Sequence, residues 1–174
     1  MTTRNDPISE VPRSVSAIDW ERWSPVDRCT LLFVVRGGEV LLIRKKRGLG
    51  AGKVNGPGGR IEPGETPLEG AVREVQEETG CTPLDPVEHG ELSFQFVDGY
   101  STHVFVFRSL DCEGPIHETD EAQPLWTRLG GIPYDEMWAD DVIWLPILLR
   151  GGRFKGRFVF DGDTMLDHVF SLEE

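Results

Sequence analysis

The sequence predicts an α/β protein, in which a mixed β-sheet is covered by two main helices in an α/β/α layering. Short apolar strands recur along the chain, and two segments have the features of helices. Strands and helices alternate in order, which favours a layered arrangement over separate all-α or all-β parts. At 174 residues, the chain has the length of one domain with a sizeable core.

The N-terminal part of the chain differs from the rest in composition. Residues 1–26 are polar and are interrupted by prolines, so we expect a flexible or loosely docked N-terminal extension. Trp20 and Trp23 are the exception, because a short helical turn there would pin them onto the domain. Residues 27–174 are expected to form that domain.

The predicted strands are short and are bounded by turn residues. Segments 29–36 and 39–46 are joined by Gly37-Gly38, a two-residue turn that is typical of a hairpin. Segment 91–97 alternates apolar and polar residues, which is the pattern of a strand with one buried face. The remaining predicted strands are 103–107, a short strand through Trp126, 154–160 and 165–170.

The first predicted helix has clear start and stop signals. Thr66 is a good N-cap, Pro67 suits the first helical position, and Glu69 completes a Thr-x-x-Glu capping box. Gly80 ends the helix, because glycine adopts the left-handed conformation without steric cost. Residues spaced at i, i+3, i+4 and i+7 form the predicted apolar stripe, namely Leu68, Ala71, Val72 and Val75.

Three glutamates lie together on another face of this helix. Glu74, Glu77 and Glu78 are three and four positions apart, so their like charges repel each other. A solvated helix face is one explanation. The other is a divalent cation, since hard cations prefer carboxylate oxygens together with water and phosphate. The glycine-rich loop 56–59 favours the cation, because bare backbone there can approach a metal or a phosphate closely.

The second predicted helix runs from Val142 to about Leu149 and has an apolar composition suited to packing on a sheet. Pro146 either kinks it or lies in its first turn. Asp140 and Asp141 precede it, where acidic residues are favoured. The loop 45–55 is basic and rich in glycine, which promotes either solubility or contact with an anionic substrate.

Charge and cysteine content limit the classes of function. The net charge of −12, from 18 basic and 30 acidic residues, argues against DNA or RNA polymers as partners. Three unpatterned cysteines are typical of reduced thiols in a cytoplasmic protein. No apolar run reaches the ~18 residues of a membrane span, so we expect no membrane partner.

The spacing around the first helix resembles the signature of a known family, the Nudix hydrolases. Glycine, five residues, glutamate, seven residues, then Arg-Glu-apolar-x-Glu-Glu-x-Gly-apolar is the Nudix box. Only the last position departs mildly, since it is Cys81. The matching residues are Gly59, Glu65, Arg73, Glu74, Val75, Glu77, Glu78 and Gly80.

From about residue 28 to 170, the chain resembles the branch of that family that hydrolyses oxidised purine nucleoside triphosphates, such as 8-oxo-dGTP or 2-hydroxy-dATP. The segments that carry this resemblance include 45–56, 137–141 and 154–160. It implies the Nudix fold, a small nucleotide as partner and hydrolysis to a monophosphate and pyrophosphate.

The resemblance also implies a substrate pocket. Trp138 would stack on the purine, Asp140 and Asp141 would bind one base edge, and Asn55 the other. Two adjacent buried carboxyls raise the pKa of one of them, so one is able to donate and the other to accept. The further residues expected in contact with substrate are Thr30, Lys45, Gly58, Gly59 and Phe94, the last in the core or the pocket wall.

The expected cofactor is Mg²⁺, with Mn²⁺ as an alternative. It would bind the helix glutamates together with the Gly58 or Gly59 carbonyl, and Glu121 is our candidate acid from outside the box. Glu77, Glu78 or Glu121 would orient or deprotonate the attacking water. Arg73 would hold a box carboxylate or touch phosphate. The expected metal site thus comprises Gly58, Gly59, Glu74, Glu77, Glu78 and Glu121.

Two other functions remain open at this point. The box is also compatible with another nucleoside diphosphate derivative or a methylated purine triphosphate as substrate, and with a non-catalytic nucleotide sensor. All box carboxylates are present, which disfavours the sensor. We expect a monomer. Four residues differ from those expected in the resembling branch and predict a wider or reshaped base pocket, namely Leu49, Val54, Pro57 and Ser101.

Overall fold

The structure is a computed structural model and describes residues 11–174. Its helices are α1 (Pro67–Thr79) and α2 (Asp141–Leu149). Its strands are β1 (Asp27–Arg36), β2 (Glu39–Lys45), β3 (Val54–Asn55), β4 (Gly58–Arg60), β5 (Thr82–Leu84), β6 (Val87–Phe96), β7 (Ser101–Ser109), β8 (Asp111–Glu113), β9 (Ala122–Arg128), β10 (Arg153–Asp161) and β11 (Thr164–Glu173).

Nine strands form one mixed sheet. Its main path runs β11-β10-β6-β7-β1-β2-β3, while β4 pairs with β1 and β9 with β2. The β1–β7 and β6–β10 pairs are parallel, and the other described pairs are antiparallel. A separate two-stranded sheet joins β5 to β8, and the sequence analysis predicted neither of these strands.

The two helices cover opposite faces of the large sheet, as β1 illustrates. Because alternate side chains of a strand point to opposite faces, Leu32 and Val34 belong to the core cluster that contains α1. Phe33 and Val35 belong to the cluster that contains Trp144 of α2. The prediction of an α/β/α layering with two main helices is therefore confirmed.

The ends of α1 follow the predicted local chemistry. The Glu69 amide donates to Thr66 Oγ1 at 3.2 Å, and the Thr66 amide donates to Glu69 Oε2 at 2.8 Å, so the capping box is complete. Gly80 has a φ of 85° and ends the helix. The predicted boundaries of this element are confirmed.

The predicted apolar stripe of α1 was wrong at its first position. Leu68 is 41% exposed, whereas Ala71 and Val75 are fully buried. In the first turn Gly70 is buried instead, and a Cβ on Gly70 would lie 3.6 Å from Ile61 Cγ1. The loop before the helix therefore covers the first turn at Gly70 and leaves Leu68 in solvent.

Most of the predicted strands were shorter than the strands in the structure. β6 begins at Val87 rather than at residue 91, and β7 extends from Ser101 to Ser109. Pro146 lies inside α2, beyond its first turn. Among residues 11–174, no helix combines the length and the apolar character that crossing a bilayer requires.

The described part of the N-terminal segment lies against the sheet. The Trp20 indole donates to the Val15 carbonyl at 2.9 Å, and the Arg157 guanidinium lies 4.8 Å from the Trp20 ring. Trp23 Nε1 donates to Gln95 Oε1 of β6 at 2.9 Å. Our interpretation of residues 1–10 lies outside the described residues, and the domain boundary at residue 27 stays a prediction.

Candidate active site

A cavity of about 560 Å³ opens beside the N-terminal half of β1. At one end it is lined by Glu74 and Glu78 of α1, together with Glu121. At the other end it is lined by Trp138 and by the two aspartates that begin α2. The box helix and the predicted base pocket thus line the same cavity, although Glu78 and Trp138 are 60 positions apart in the chain.

The glycine strand β4 brings the backbone close to both β1 and α1. Gly58 pairs with Leu31, and a Cβ on Gly58 would collide with the Thr30 carbonyl oxygen. A Cβ on Gly59 would lie 2.5 Å from the carboxyl carbon of Glu74. The backbone of β1 excludes a side chain at Gly58, and a side chain at Gly59 would displace the Glu74 carboxylate, so the backbone itself lines the cavity here.

Gly58→Ala is expected to lower the free energy of unfolding by about 1–3 kcal/mol and to reduce turnover, because overpacking displaces β4 from β1. Urea unfolding and steady-state kinetics measure the two effects. Gly130→Ala is the matched control, since no atom of residues 11–174 would contact that added Cβ within 4 Å and the φ of Gly130 is not positive. Equal stability of the two variants would contradict the close packing of β4.

Arg73 is the centre of an ion-pair network on α1. Its Nε and Nη2 contact the two oxygens of Glu65 at 2.6 and 3.0 Å. Its Nη1 contacts Glu74 at 2.9 Å and Glu77 at 3.2 Å, and Nη2 also donates to the Arg60 carbonyl. One guanidinium therefore offsets part of the repulsion among the box carboxylates and ties the preceding loop to the helix.

Three carboxylates lie close together at the end of the cavity beside α1. Glu74, Glu77 and Glu121 each offer an oxygen, and these oxygens lie within 4.8 Å of one another. Arg47 Nη2 donates to Glu121 Oε1 at 2.7 Å. Oxygen donors at this spacing, beside the bare backbone of Gly59, fit a hard divalent cation.

Glu78 has a different environment from the other box glutamates. Only 2% of its surface is exposed, and its Oε1 accepts the Gly58 amide at 2.8 Å. Burial raises the pKa of Glu78 to about 8, against the opposing effect of that hydrogen bond. Burial likewise raises the pKa of Glu74, although Arg73 opposes the shift.

Aromatic side chains form the opposite end of the cavity. The Trp138 indole meets the rings of Phe96 and Phe160 edge-on, with centroids 6.1 and 5.7 Å away. Lys53 Nζ lies 5.1 Å from the indole centroid. Phe94 stacks on Phe158 and also lines the cavity, so it belongs both to the apolar core and to the cavity wall.

The aspartate pair at the start of α2 is buried. Asp140 Oδ2 accepts the Trp144 indole N–H at 2.7 Å. Asp141 Oδ2 is buried and has no hydrogen-bond partner within residues 11–174. Burial raises the pKa of Asp140 to about 6, and burial together with Asp140 raises the pKa of Asp141 well above its usual value.

Asp141→Asn is expected to stabilise the protein increasingly as the pH rises from about 4.5 to 7.5. A carboxyl with a raised folded-state pKa keeps its proton in the folded state, so the wild type loses up to ~1.4 kcal/mol of stability per pH unit for each such proton. Asparagine cannot ionise and removes this loss, although Lys53 attracts the charged form.

The measurement is urea unfolding of both proteins across this pH range. Asp135→Asn, at an exposed position, is the control and should leave the pH dependence unchanged. A stability difference for Asp141→Asn that stays constant with pH would contradict the buried titration.

Contact of the basic loop with an anionic substrate stays a prediction. Lys46, Arg47 and Lys53 form ion pairs with Glu118, Glu121 and Asp163, and Arg47 also lines the cavity. Lys45 has no ion pair among the described residues and lines the cavity. Of the four residues expected to reshape the pocket, Leu49 lines it, whereas Val54, Pro57 and Ser101 are buried outside it.

The structure brings most of the candidate residues together. Arg73 and Glu77 lie beside the cavity lining, through the contacts with Glu74 described above. The candidates that line the cavity are Thr30, Lys45, Asn55, Gly58, Gly59, Glu74, Glu78, Phe94, Glu121, Trp138, Asp140 and Asp141. Their roles in metal binding, catalysis and substrate contact stay predictions.

Sequence reasoning missed several residues that line the cavity. Among them are Cys29, Arg60, Tyr100 and Thr102. The Thr30 and Thr102 hydroxyl oxygens are buried without a partner in the described structure, as is Asp141 Oδ2. The only signal for Tyr100 is its position after the Asp98-Gly99 turn, which places it at the start of a strand but on no particular surface.

A mixed sheet between two helices, with an acidic helix facing a glycine strand, is the arrangement expected of a Nudix hydrolase. The family model described as NUDIX domain matches residues 25–146, and the chain belongs to that family. The resemblance drawn from the box is therefore confirmed.

Within the family, the chain is similar to two animal enzymes named oxidized purine nucleoside triphosphate hydrolase. It is 43% identical to the one from Danio rerio over 141 residues, which is 80% of this chain and 90% of the relative. It is 41% identical to the one from Mus musculus over 147 residues, or 83% and 93% of the two chains.

Among solved structures, the chain resembles a MutT protein from Bacillus halodurans. The TM-score is 0.76 at 29% identity, and the match covers 84% of this chain and 98% of the other. The agreement extends over nearly the whole of that protein, so it supports the Nudix fold for the full sheet and both helices.

Proposed function

We propose that this protein hydrolyses oxidised purine nucleoside triphosphates, such as 8-oxo-dGTP or 2-hydroxy-dATP, to a monophosphate and pyrophosphate. The observation that carries the proposal is the single cavity with glutamates at one end and Trp138 beside two buried aspartates at the other. A nucleotide has the same two parts, a polyanion and a planar base. The names of the zebrafish and mouse relatives support the same substrate class.

The carboxylate end fits a bound divalent cation. Glu74, Glu77 and Glu121 would hold it, with Glu78 and the backbone of Gly58 and Gly59 alongside. We propose Mg²⁺, with Mn²⁺ as an alternative. When bound, such an ion neutralises phosphate charge and lowers the pKa of water.

The protein groups at this end would orient the water that attacks phosphorus. Water forms the new P–O bond, its proton passes to a carboxylate, and the anhydride oxygen leaves with the pyrophosphate. Glu78 is suited to accept that proton, because burial raises its pKa to about 8 and so makes its ionised form a stronger base. Arg73 keeps Glu74 and Glu77 in place and is a positioning residue in this scheme.

The base end offers affinity and discrimination through different groups. An indole face stacks on any base, so Trp138 would contribute binding without choosing among bases. Asp140 and Asp141 would read the base edge, because at neutral pH one neutral carboxyl donates while its ionised neighbour accepts. This pair would therefore accommodate both oxidised guanine and hydroxylated adenine.

The test is a panel of nucleotides assayed with Mg²⁺ for pyrophosphate release and ranked by kcat/KM. The panel includes 8-oxo-dGTP, 2-hydroxy-dATP, dGTP, dATP, a methylated purine triphosphate and ADP-ribose. We expect the oxidised purines to exceed dGTP by about tenfold or more, the value of one or two base-edge hydrogen bonds. Equal rates for dGTP and 8-oxo-dGTP would refute the proposal, and a preference for another compound would reassign the substrate.

We further propose a monomer in the cytoplasm. Cys29, Cys81 and Cys112 are all free thiols, which supports a reducing compartment. Size-exclusion chromatography with light scattering tests the monomer.

A further inference from the structure

The turn between β6 and β7 forms part of the cavity wall. Tyr100, in this turn, lines the cavity and lies 5.8 Å from Phe96, measured between ring centroids. Trp138 meets the same Phe96 ring at 6.1 Å. Two aromatic side chains of the cavity therefore share Phe96 as a neighbour, and the position of the turn determines where the Tyr100 ring lies.

The N-terminal segment Trp23–Asp27 contacts this turn and the strand ends on either side of it at three points. Tyr100 Oη donates to Asp27 Oδ2 at 2.9 Å. The Val26 amide contacts both the carbonyl and the hydroxyl oxygen of Ser101, at 3.1 and 3.0 Å. Trp23 Nε1 donates to Gln95 Oε1 at 2.9 Å. These contacts join the extension to residues on both sides of the turn.

Gln95 links Trp23 to the backbone of the turn through hydrogen bonds. Its Nε2 donates to the Phe96 carbonyl at 3.0 Å and to the Tyr100 carbonyl at 3.2 Å. Because Trp23 occupies the amide oxygen of Gln95, the amide nitrogen is directed at these two carbonyls. Loss of the indole N–H would therefore free the Gln95 amide to rotate and would loosen the backbone that carries Tyr100.

Asp27 connects the same turn to the carboxylate end of the cavity. Its Oδ2 forms an ion pair with Arg60 Nε at 3.1 Å, and the Arg60 carbonyl accepts a hydrogen bond from Arg73 Nη2 at 2.9 Å. Asp27 is largely shielded, with 23% of its side chain exposed. A carboxylate held by both a phenol and a guanidinium is a stiffer anchor than a single hydrogen bond.

We propose that Tyr100 contacts the planar base of the bound nucleotide, and that the segment Trp23–Asp27 is a positioning element that holds Tyr100 there. The inference rests on the proposed function, since it assumes a purine nucleotide in this cavity. It assigns a role in substrate binding to a segment that lies before most of β1. The alternative is that these contacts only stabilise the fold, which would change unfolding without changing substrate affinity.

The first experiment compares Trp23→Phe and Tyr100→Phe with wild type in hydrolysis of 8-oxo-dGTP. Trp23→Phe keeps an aromatic ring and removes the N–H donor, and Tyr100→Phe keeps the ring and removes the hydroxyl. We expect KM to rise about fivefold in each, the effect of one lost hydrogen bond, with kcat within about twofold. Glu21→Gln is the control, because Glu21 is exposed just before this segment and its side chain has no hydrogen-bond partner among the described residues.

The second experiment asks whether Trp23 acts through Tyr100. Tyr100→Ala alone should raise KM by about tenfold or more, the scale of base–aromatic stacking. If Trp23 only positions that ring, adding Trp23→Phe to Tyr100→Ala should raise KM no further. An equal effect of Trp23→Phe in both backgrounds, or unchanged KM in Trp23→Phe, would overturn the inference.

Calorimetric binding of 8-oxo-dGMP separates this inference from the proposed function, because it needs no turnover. If the wild type hydrolyses no nucleotide, but the Trp23 and Tyr100 variants bind 8-oxo-dGMP more weakly than it does, only the proposed hydrolysis is refuted. Normal hydrolysis with unchanged binding in every variant would refute the positioning role alone. Absence of any binding to the wild type would refute both.

Discussion

Glu78→Gln is expected to lower kcat by about 10²–10⁴-fold, the range that a positioned acid or base contributes. Glu78 lines the cavity and is almost completely buried against the Gly58 amide. Glutamine has nearly the same shape, and its amide oxygen can still accept the Gly58 hydrogen bond, so β4 should remain in place. What is lost is the ability to ionise and to accept a proton.

Stability should not fall together with activity in this variant. Burying an ionisable carboxyl is costly, so replacing it with a neutral amide should leave the free energy of unfolding equal or higher. Steady-state kinetics and urea unfolding of the same preparation measure both quantities. Glu69→Gln, on the same helix, is the matched control because its amide oxygen preserves the capping box. Near-normal turnover in Glu78→Gln would remove this residue from the chemistry.

Trp138→Ala is expected to raise KM for a purine triphosphate by about 10- to 100-fold, because stacking on an aromatic side chain contributes ~1–3 kcal/mol per base. The effect on kcat should be much smaller, since stacking stabilises the bound substrate and the transition state alike. Steady-state kinetics with 8-oxo-dGTP and dGTP measure this. Similar losses for both nucleotides are expected, because the indole face does not distinguish the two bases.

Trp126→Ala provides the control for loss of a large aromatic side chain. Trp126 lies on β9, where its ring faces the Arg36 guanidinium at 4.8 Å, and it does not line the cavity. It should lower stability without raising KM. Trp138→Phe should restore part of the affinity, because a smaller ring still stacks. A KM unchanged in Trp138→Ala would exclude the indole as the base platform.

The sequence predicted those parts of the fold whose structure depends on contacts between residues close together in the chain. Thr66, Glu69 and Gly80 set the ends of α1 through contacts within three or four residues, and these contacts form wherever the helix packs. The alternation of β1 likewise assigns Leu32 and Phe33 to opposite faces before any partner is known. The spacing of the matching residues in the Nudix box is likewise a local property of the sequence.

The sequence predicted the burial and contacts of a side chain less well where these depend on a segment distant in the chain. Leu68 matched the apolar stripe of α1, but Gly70 occupies the buried position because the preceding loop packs there. Composition predicted a basic loop, but only the structure shows that Lys46 and Arg47 form ion pairs with Glu118 and Glu121 from another part of the chain. No local pattern encodes such pairings.

By itself, then, the sequence determined the layered fold, the box helix and the set of glutamates, because spacing along a helix is a local property. Only the tertiary structure decided that Glu78 is buried against the Gly58 amide, that Asp141 Oδ2 has no partner within residues 11–174, and that Tyr100 joins the cavity wall. These features depend on which strands become neighbours in the sheet. Burial and hydrogen-bond geometry arise from that pairing, and no window of the chain contains both partners.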